Sequence, residues 1–215
     1  MLADSSLTLD LKSLETFLSR FVRENWIQAF RIEVFASQKD LRRQWGHADL
    51  KTVSRTHKRL NAHQLMGVEV IKNPQSQVGI DLESCESLKR PLFQQTEFLA
   101  ERFSLNRDIS SIDLMGQWIG REACFKSMYP QNSHLLLSSF SFLEVVELTP
   151  QDHLLLADDL LQSPTIKKFR ARCSAPLMDT LMSPPSPHPK INGYQLHLSE
   201  LFFAIARVEL NIATK

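Results

Sequence analysis

Two neighbouring runs, residues 65–72 (LMGVEVIK) and 77–83 (QVGIDLE), constrain the fold of this chain most strongly. Both read as β-strands. Alternation in the second sends Val78, Ile80 and Leu82 to one face and Asp81 and Glu83 to the other. Such a strand needs an apolar core on one side and leaves two acids on the other. The intervening Asn73-Pro74-Gln75-Ser76 is a turn sequence, so the two runs are expected to form a hairpin. With a rise of about 3.3 Å per residue, the Cα atoms of Asp81 and Glu83 stand about 7 Å apart, near enough for their carboxylates to converge on one ion. Taken alone, the same pattern also describes the exposed polar face of a half-buried sheet.

Helical and extended patterns alternate along the rest of the chain. Residues 10–24 place Leu11, Leu14, Leu18, Phe21 and Val22 at helical spacing, and 26–36 (WIQAFRIEVFA) predicts a strand. Ser37 is placed to cap a short helix through Gln44 that Gly46 ends. Residues 90–103 predict a helix opened by Pro91. After a break at 104–107, Ser110-x-x-Asp113 signals a helix running to about Tyr129, before Pro130. Along one side of that helix Trp118, Glu122 and Lys126 recur every four residues. Judged singly, Trp118 is a core residue, and Glu122–Lys126 is a surface ion pair worth about 0.3–0.5 kcal/mol.

Strands are expected at 139–148 and 169–173, and the periodicity leaves the type of the Leu-rich 154–161 open. Pro176, Pro184, Pro185, Pro187 and Pro189 make 174–193 a loop. Residues 194–198 and 201–210 close the chain as two strands about Ser199-Glu200. Interleaved elements of both kinds predict an α+β fold with considerable antiparallel pairing.

The 215 residues suffice for one large domain or two small ones, with 43% apolar and 23% charged residues as in an ordinary soluble globular protein. A net charge of +1 gives no global attraction to nucleic acid or membrane, and neither is expected as a partner. Locally, Lys39, Arg42, Arg43, Lys51, Arg55, Lys58 and Arg59 face only Asp40 and Asp49 across 39–59, with His47 and His57 among them. This surplus can seat phosphates, and it can equally be a solvated surface. Three cysteines without paired spacing argue against a disulfide framework or zinc knuckle. No apolar run is long enough to cross a bilayer, and residues 1–10 carry two acids and no basic start, so a cytoplasmic address is expected.

In combination, Gly79-Ile80-Asp81-Leu82-Glu83 followed by Trp118, Glu122, Ala123 and Lys126 resembles the two signature motifs of the 4′-phosphopantetheinyl transferases. Those patterns are approximately G-[IV]-D-x-E and W-[ST]-x-K-E-[AS]-x-x-K, and Arg121 stands where lysine is usual. The resemblance spans 54–209, and the length is similar to that of the larger, pseudo-dimeric members rather than the half-size trimeric holo-acyl-carrier-protein synthases. It implies two similar subdomains, 1–108 and 109–215, each with an antiparallel sheet packed on a long helix, in a monomer with an internal pseudo-two-fold.

The family moves the phosphopantetheine arm of coenzyme A to a serine of an acyl or peptidyl carrier protein and releases adenosine 3′,5′-bisphosphate. For this chain the resemblance implies Mg²⁺ held by Asp81, Glu83 and Glu122. It makes Glu122 a candidate base for the carrier serine and Lys126 the cation that stabilises the leaving phosphate, with Arg121 adding charge. A metal-bound carboxylate is a poor base, so Glu122 is not expected to fill both roles at once. Thr56-His57 occupies the place of a Ser-His pair that contacts coenzyme A, so His57 with Arg42, Arg43 or Arg55 is expected at the nucleotide phosphates. The Gly-Lys-Pro element that often precedes that pair is not recognisable, and Lys58 and Arg59 follow the histidine where small residues are common.

Two other classes fit the same residues: a non-catalytic coenzyme A- or carrier-binding homologue, and a Mg²⁺-dependent nuclease or phosphohydrolase. The latter often uses a Glu-x-Lys step, and neither Glu83 nor Glu122 has a lysine two residues on. The transferase reading requires the strand bearing Asp81 and the helix bearing Glu122 to lie side by side.

Overall fold

The computed structural model describes residues 3–94, 96–106, 108–128, 137, 140, 142–149, 152, 165–173 and 190–208. It opens with helix α1 (Ala3–Arg23), whose stripe of Leu14, Phe17, Leu18 and Phe21 is completely buried. Asn25, at φ 58°, turns the chain out of this helix. The Trp26 N–H donates to the Phe21 carbonyl at 2.9 Å and the Asn25 N–H to that of Val22 at 3.1 Å, the two bonds of a Schellman close. The Phe21 and Trp26 rings pack 4.9 Å apart across it, which aims strand β1 (Ile27–Phe35) back along the helix. Helix α2 (Gln38–Trp45) follows as its caps predict: Ser37 Oγ accepts the Asp40 N–H at 3.2 Å, and Gly46 ends the helix at φ 59°.

The fold is α+β with two antiparallel sheets. One has the order β1-β3-β2, with β2 at Val53–Asn61 and β3 at Gln64–Lys72. The other has the order β4-β8-β7-β6-β5, with β4 at Gln77–Ser84, β5 at Phe142–Val146, β6 at Thr165–Arg172, β7 at Lys190–His197 and β8 at Leu201–Val208. The expected hairpin between the runs at 65–72 and 77–83 does not form. β3 is the central strand of its sheet, so β1 and β2 already occupy both its edges, and the turn at 73–76 carries the chain into the other sheet. There β4 pairs with β8, with Gly79 opposite Ala206, Asp81 opposite Ala204 and Glu83 opposite Phe202.

The expected helix at 90–103 is also broken. A 3-10 turn (Cys85–Lys89) leads into two short helices, α3 (Pro91–Gln94) and α4 (Thr96–Arg102). Phe93 and Leu99 lie six positions apart and would point to different sides of one continuous helix; the break lets both bury in the same core. Residues 190–193, expected in the loop, are strand because β6 and β8 both offer ladder partners to Ile191 and Gly193. The other positions of the Pro-rich 174–189, the Leu-rich 154–161 and the expected helix end at Tyr129 lie outside the described residues.

Helix α5 (Ser111–Met128) covers one face of the five-stranded sheet, burying Leu114, Met115, Ile119, Ala123 and Cys124 against Phe169, Phe202, Ala204 and Ala206. Its start is the expected one, with Ser110 Oγ accepting the Asp113 N–H at 3.1 Å. The opposite face meets α1 and the Met66, Val68 and Val70 face of β3 through Val78, Ile80 and Leu82. The five-stranded sheet thus takes β4 from before residue 109 and its other strands from after it. Among the described residues no helix is long and apolar enough to cross a membrane.

The left-handed residue at the end of α1 gives a stability test. Asn25→Gly is expected to keep or raise the unfolding midpoint, whereas Asn25→Val, with a branched Cβ at positive φ, should cost about 1–2 kcal/mol. Denaturant unfolding of the two variants checks the difference.

Candidate functional site

Gly79 sets how closely α5 approaches the sheet. A Cβ at this position would lie 2.1 Å from the Ala123 carbonyl oxygen and 2.2 Å from the Ser127 nitrogen, so the helix backbone rests directly on the strand backbone. Asp81 and Glu83 share the face of Gly79, two and four residues on. Glu122 and Lys126 stand one turn apart on α5. The two elements meet where Lys126 Nζ donates to Asp81 Oδ1 at 2.6 Å. The strand bearing Asp81 and the helix bearing Glu122 do lie side by side.

A third element closes the site. Ser54 Oγ on β2 accepts the Ile80 N–H at 3.2 Å, the Thr56 hydroxyl donates to Asp81 Oδ1 at 3.1 Å, and Lys58 is ion-paired with Glu83. These partners advance together along both chains, so β2 and β4 run in the same direction across the seam between the sheets, joined through side chains. Ser87, in the 3-10 turn that follows β4, donates its hydroxyl to Glu83 Oε2 at 2.6 Å. Between β2, β4 and α5 lies a cleft of about 370 Å³ walled by Arg55, Thr56, His57, Asp81, Glu83, Trp118, Glu122 and Lys126.

Burial dominates the electrostatics here. It pushes the Asp81 carboxyl above the ordinary value, against the pull of Lys126 and with Glu83 adding to the rise. Glu122 is raised by burial and then by the charges of Asp81 and Glu83, with Lys126 alone opposing. Among the described residues the Glu122 carboxylate accepts no hydrogen bond and has no ion pair, which distinguishes it from the other two acids. His57 is held below its ordinary value by desolvation and then by Lys126, Arg42 and Lys58. At neutral pH it is a neutral imidazole with one N–H to donate.

The other expected residues divide. Arg42 is exposed on α2, near enough for its charge to act on His57, while Arg43 is exposed and paired with Asp40 at 3.2 Å. Arg55 lines the cleft, but its guanidinium is committed to Glu69 and to the carbonyls of Trp45 at 2.8 Å and Gly46 at 2.9 Å, where it closes the end of α2. Arg121 is not in the site. It is completely buried and donates to the carbonyls of Phe140 at 2.5 Å and Phe103 at 3.3 Å, with its guanidinium over the Phe103 ring. One residue from Glu122 is 100° around a helix, which turns Arg121 into the core.

Trp118 is half-buried, edge-on to Phe93 at 5.5 Å, and forms both core and cleft wall. Sequence reasoning does not place Lys58 and Ser87 in the site; an alternating reading of 53–61 puts Lys58 on the side of Thr56, but four charged or imidazole side chains in that run obscure the strand. Among the described residues no three of His, Cys, Asp and Glu are grouped to hold a metal ion.

Two variants test this geometry. Gly79→Ala forces a methyl onto the α5 backbone and should destabilise the fold by about 3 kcal/mol in denaturant unfolding; wild-type stability would mean that helix and strand are not in backbone contact. Glu122→Gln should raise the melting temperature at neutral pH, because in the folded state the ionised carboxylate is disfavoured. The raised pKa means the folded protein binds the proton more tightly than the unfolded chain, so this cost falls as pH drops, and the gain should vanish toward the ordinary carboxylate value of 4.5. Neither a scan of the chain against models of known families nor a search of curated proteins finds a match.

Proposed function

We propose that the cleft between β2, β4 and α5 transfers the 4′-phosphopantetheine arm of coenzyme A to a serine hydroxyl of an acyl or peptidyl carrier protein. The observation that carries this reading is the contact of Lys126 with Asp81, which joins Gly79-Ile80-Asp81-Leu82-Glu83 to Trp118, Glu122 and Lys126 around one cavity. Each motif is weak alone. Their meeting at one cleft, on a strand and helix locked together at Gly79, is what the resemblance required.

The chemistry asked of the protein is positioning and charge neutralisation. The serine oxygen bonds to the phosphorus that carries the pantetheine, the bond from that phosphorus to the bridging oxygen breaks, and adenosine 3′,5′-bisphosphate leaves. Glu122 takes the serine proton. Its raised pKa makes it a stronger base than an ordinary carboxylate, and no hydrogen bond among the described residues holds its oxygens. Lys126, whose side chain is 27% exposed, offsets the charge that builds on the leaving phosphate. His57 donates its N–H to a phosphate oxygen, and Arg42 adds positive charge at the rim.

The resemblance implies magnesium on Asp81, Glu83 and Glu122. The side chains as arranged do not fit that set, because Lys126 occupies Asp81 Oδ1, and Lys58 with Ser87 occupies Glu83 Oε2. The steps above therefore run through the chain's own residues. The same two ion pairs favour a second reading, a homologue that binds coenzyme A or its carrier without turnover.

One assay separates the two. The protein is incubated with Mg²⁺, coenzyme A and a panel of apo fatty-acid, polyketide and peptide-synthetase carriers, and intact masses are read. Addition of the arm is expected on at least one carrier. No addition on any, with a known transferase working in parallel, overturns the enzymatic reading, and coenzyme A binding without transfer would establish the second. Where transfer occurs, Lys126→Ala should lower kcat by about 10²-fold or more while changing coenzyme A affinity much less. Equal losses in both would reduce Lys126 to a binding residue.

A further inference from the structure

We infer that Lys58 is a built-in cation behind the wall of this cleft, and that Glu83 serves as its counter-ion and positioning residue rather than as a metal ligand. The inference deepens the phosphate-transfer reading and rests on it for its chemical consequence; the ion-pair assignment itself is independent of coenzyme A.

The alternation of β2 puts Ser54, Thr56 and Lys58 on the buried side, where they meet Ile80, Asp81 and Glu83 in turn. Lys58 and Glu83 are each 8% exposed, so the pair is formed away from water. Glu83 is held from a second side by the Ser87 hydroxyl on the same oxygen, Oε2. A hard divalent ion binding Glu83 would either displace Lys58, leaving a buried ammonium without its carboxylate, or sit beside that ammonium as a like charge. Both outcomes are unfavourable, and the strand register that brings Lys58 to Glu83 is fixed by two further side-chain bonds along the same seam. Asp81 differs, because its lysine comes from α5 and is more exposed, 27% against 10% for the Lys58 side chain. The divalent set open to this chain therefore reduces to Asp81 and Glu122. The charge of an incoming diphosphate ester is met over a floor whose third acid is already neutralised.

The test titrates Mn²⁺ into the protein without coenzyme A and follows the free ion by electron paramagnetic resonance. Lys58→Gln, by freeing a third carboxylate, should tighten Mn²⁺ affinity by about tenfold or more over wild type. The double variant Lys58→Gln/Glu83→Gln keeps the seam neutral and should return to wild-type affinity, so it serves if Lys58→Gln alone does not fold. Tenfold weaker Mn²⁺ binding by the double variant overturns the inference, as does unchanged binding by a folded Lys58→Gln. Failure of the carrier assay, with the Mn²⁺ series as expected, would overturn the transferase reading and leave the Lys58–Glu83 assignment standing.

Discussion

Everything in the cleft depends on the direct backbone contact of α5 with β4 at Gly79. Packed helices and sheets are normally held apart by the side chains between them, which sets interaxial distances of about 8–10 Å for helices and similar spacings against sheets. Here the layer between helix and strand is missing at one point, and β8 continues the small surface with Ala204 and Ala206. The lost side-chain volume brings a lysine on the helix within 2.6 Å of an acid two residues further along the strand. On its other face β4 is anchored by Val78, Ile80 and Leu82 in the core shared with α1 and β3. The strand cannot shift to relieve the contact without losing that burial, about 1.5–3 kcal/mol for each such side chain.

Much of this frame is local and was therefore legible in the sequence. The stripe of α1, the Ser37 and Ser110 caps, and the division of β4 into an apolar and an acidic face each depend on residues within one or two turns of each other. The unread parts depend on partners far along the chain. The turn at 73–76 has hairpin chemistry, yet β4 pairs with β8, more than a hundred residues away, because β3 has no free edge. Arg121 sits inside the motif, but its environment is set by the carbonyls of Phe103 and Phe140, which no spacing rule brings to it. Lys58 could have been found by alternation, since it follows Thr56 by two; its charge made the run look like surface.

The two lysines of the cleft are not equivalent, and their burial sets what each can do. An ion pair closed off from water is costly to open from one side, about 3–5 kcal/mol when a partner is lost, so Lys58 and Glu83 are a fixed part of the wall. Lys126 is partly exposed and reaches its acid from a helix, so its ammonium is open to an anion in the cleft, while the buried Asp81 keeps the Thr56 hydroxyl as a second partner. On the proposed reading, a phosphate entering the cleft draws on Lys126 and leaves Lys58 with Glu83.

Glu122 is what such an arrangement leaves uncompensated. It faces two acids, has only the charge of Lys126 to oppose them, and its carboxyl is raised mainly by burial. A chain selected for stability alone would carry an uncharged side chain here, because a carboxylate disfavoured in the folded state subtracts from stability throughout the neutral range. Structural pairs can also perturb an acid, but Asp81 is perturbed with a partner in place, whereas Glu122 has no ion pair among the described residues. An unpaired, destabilised carboxylate beside an exchangeable lysine is the combination that proton removal next to a phosphate needs. It is also the part of the cleft that packing does not account for.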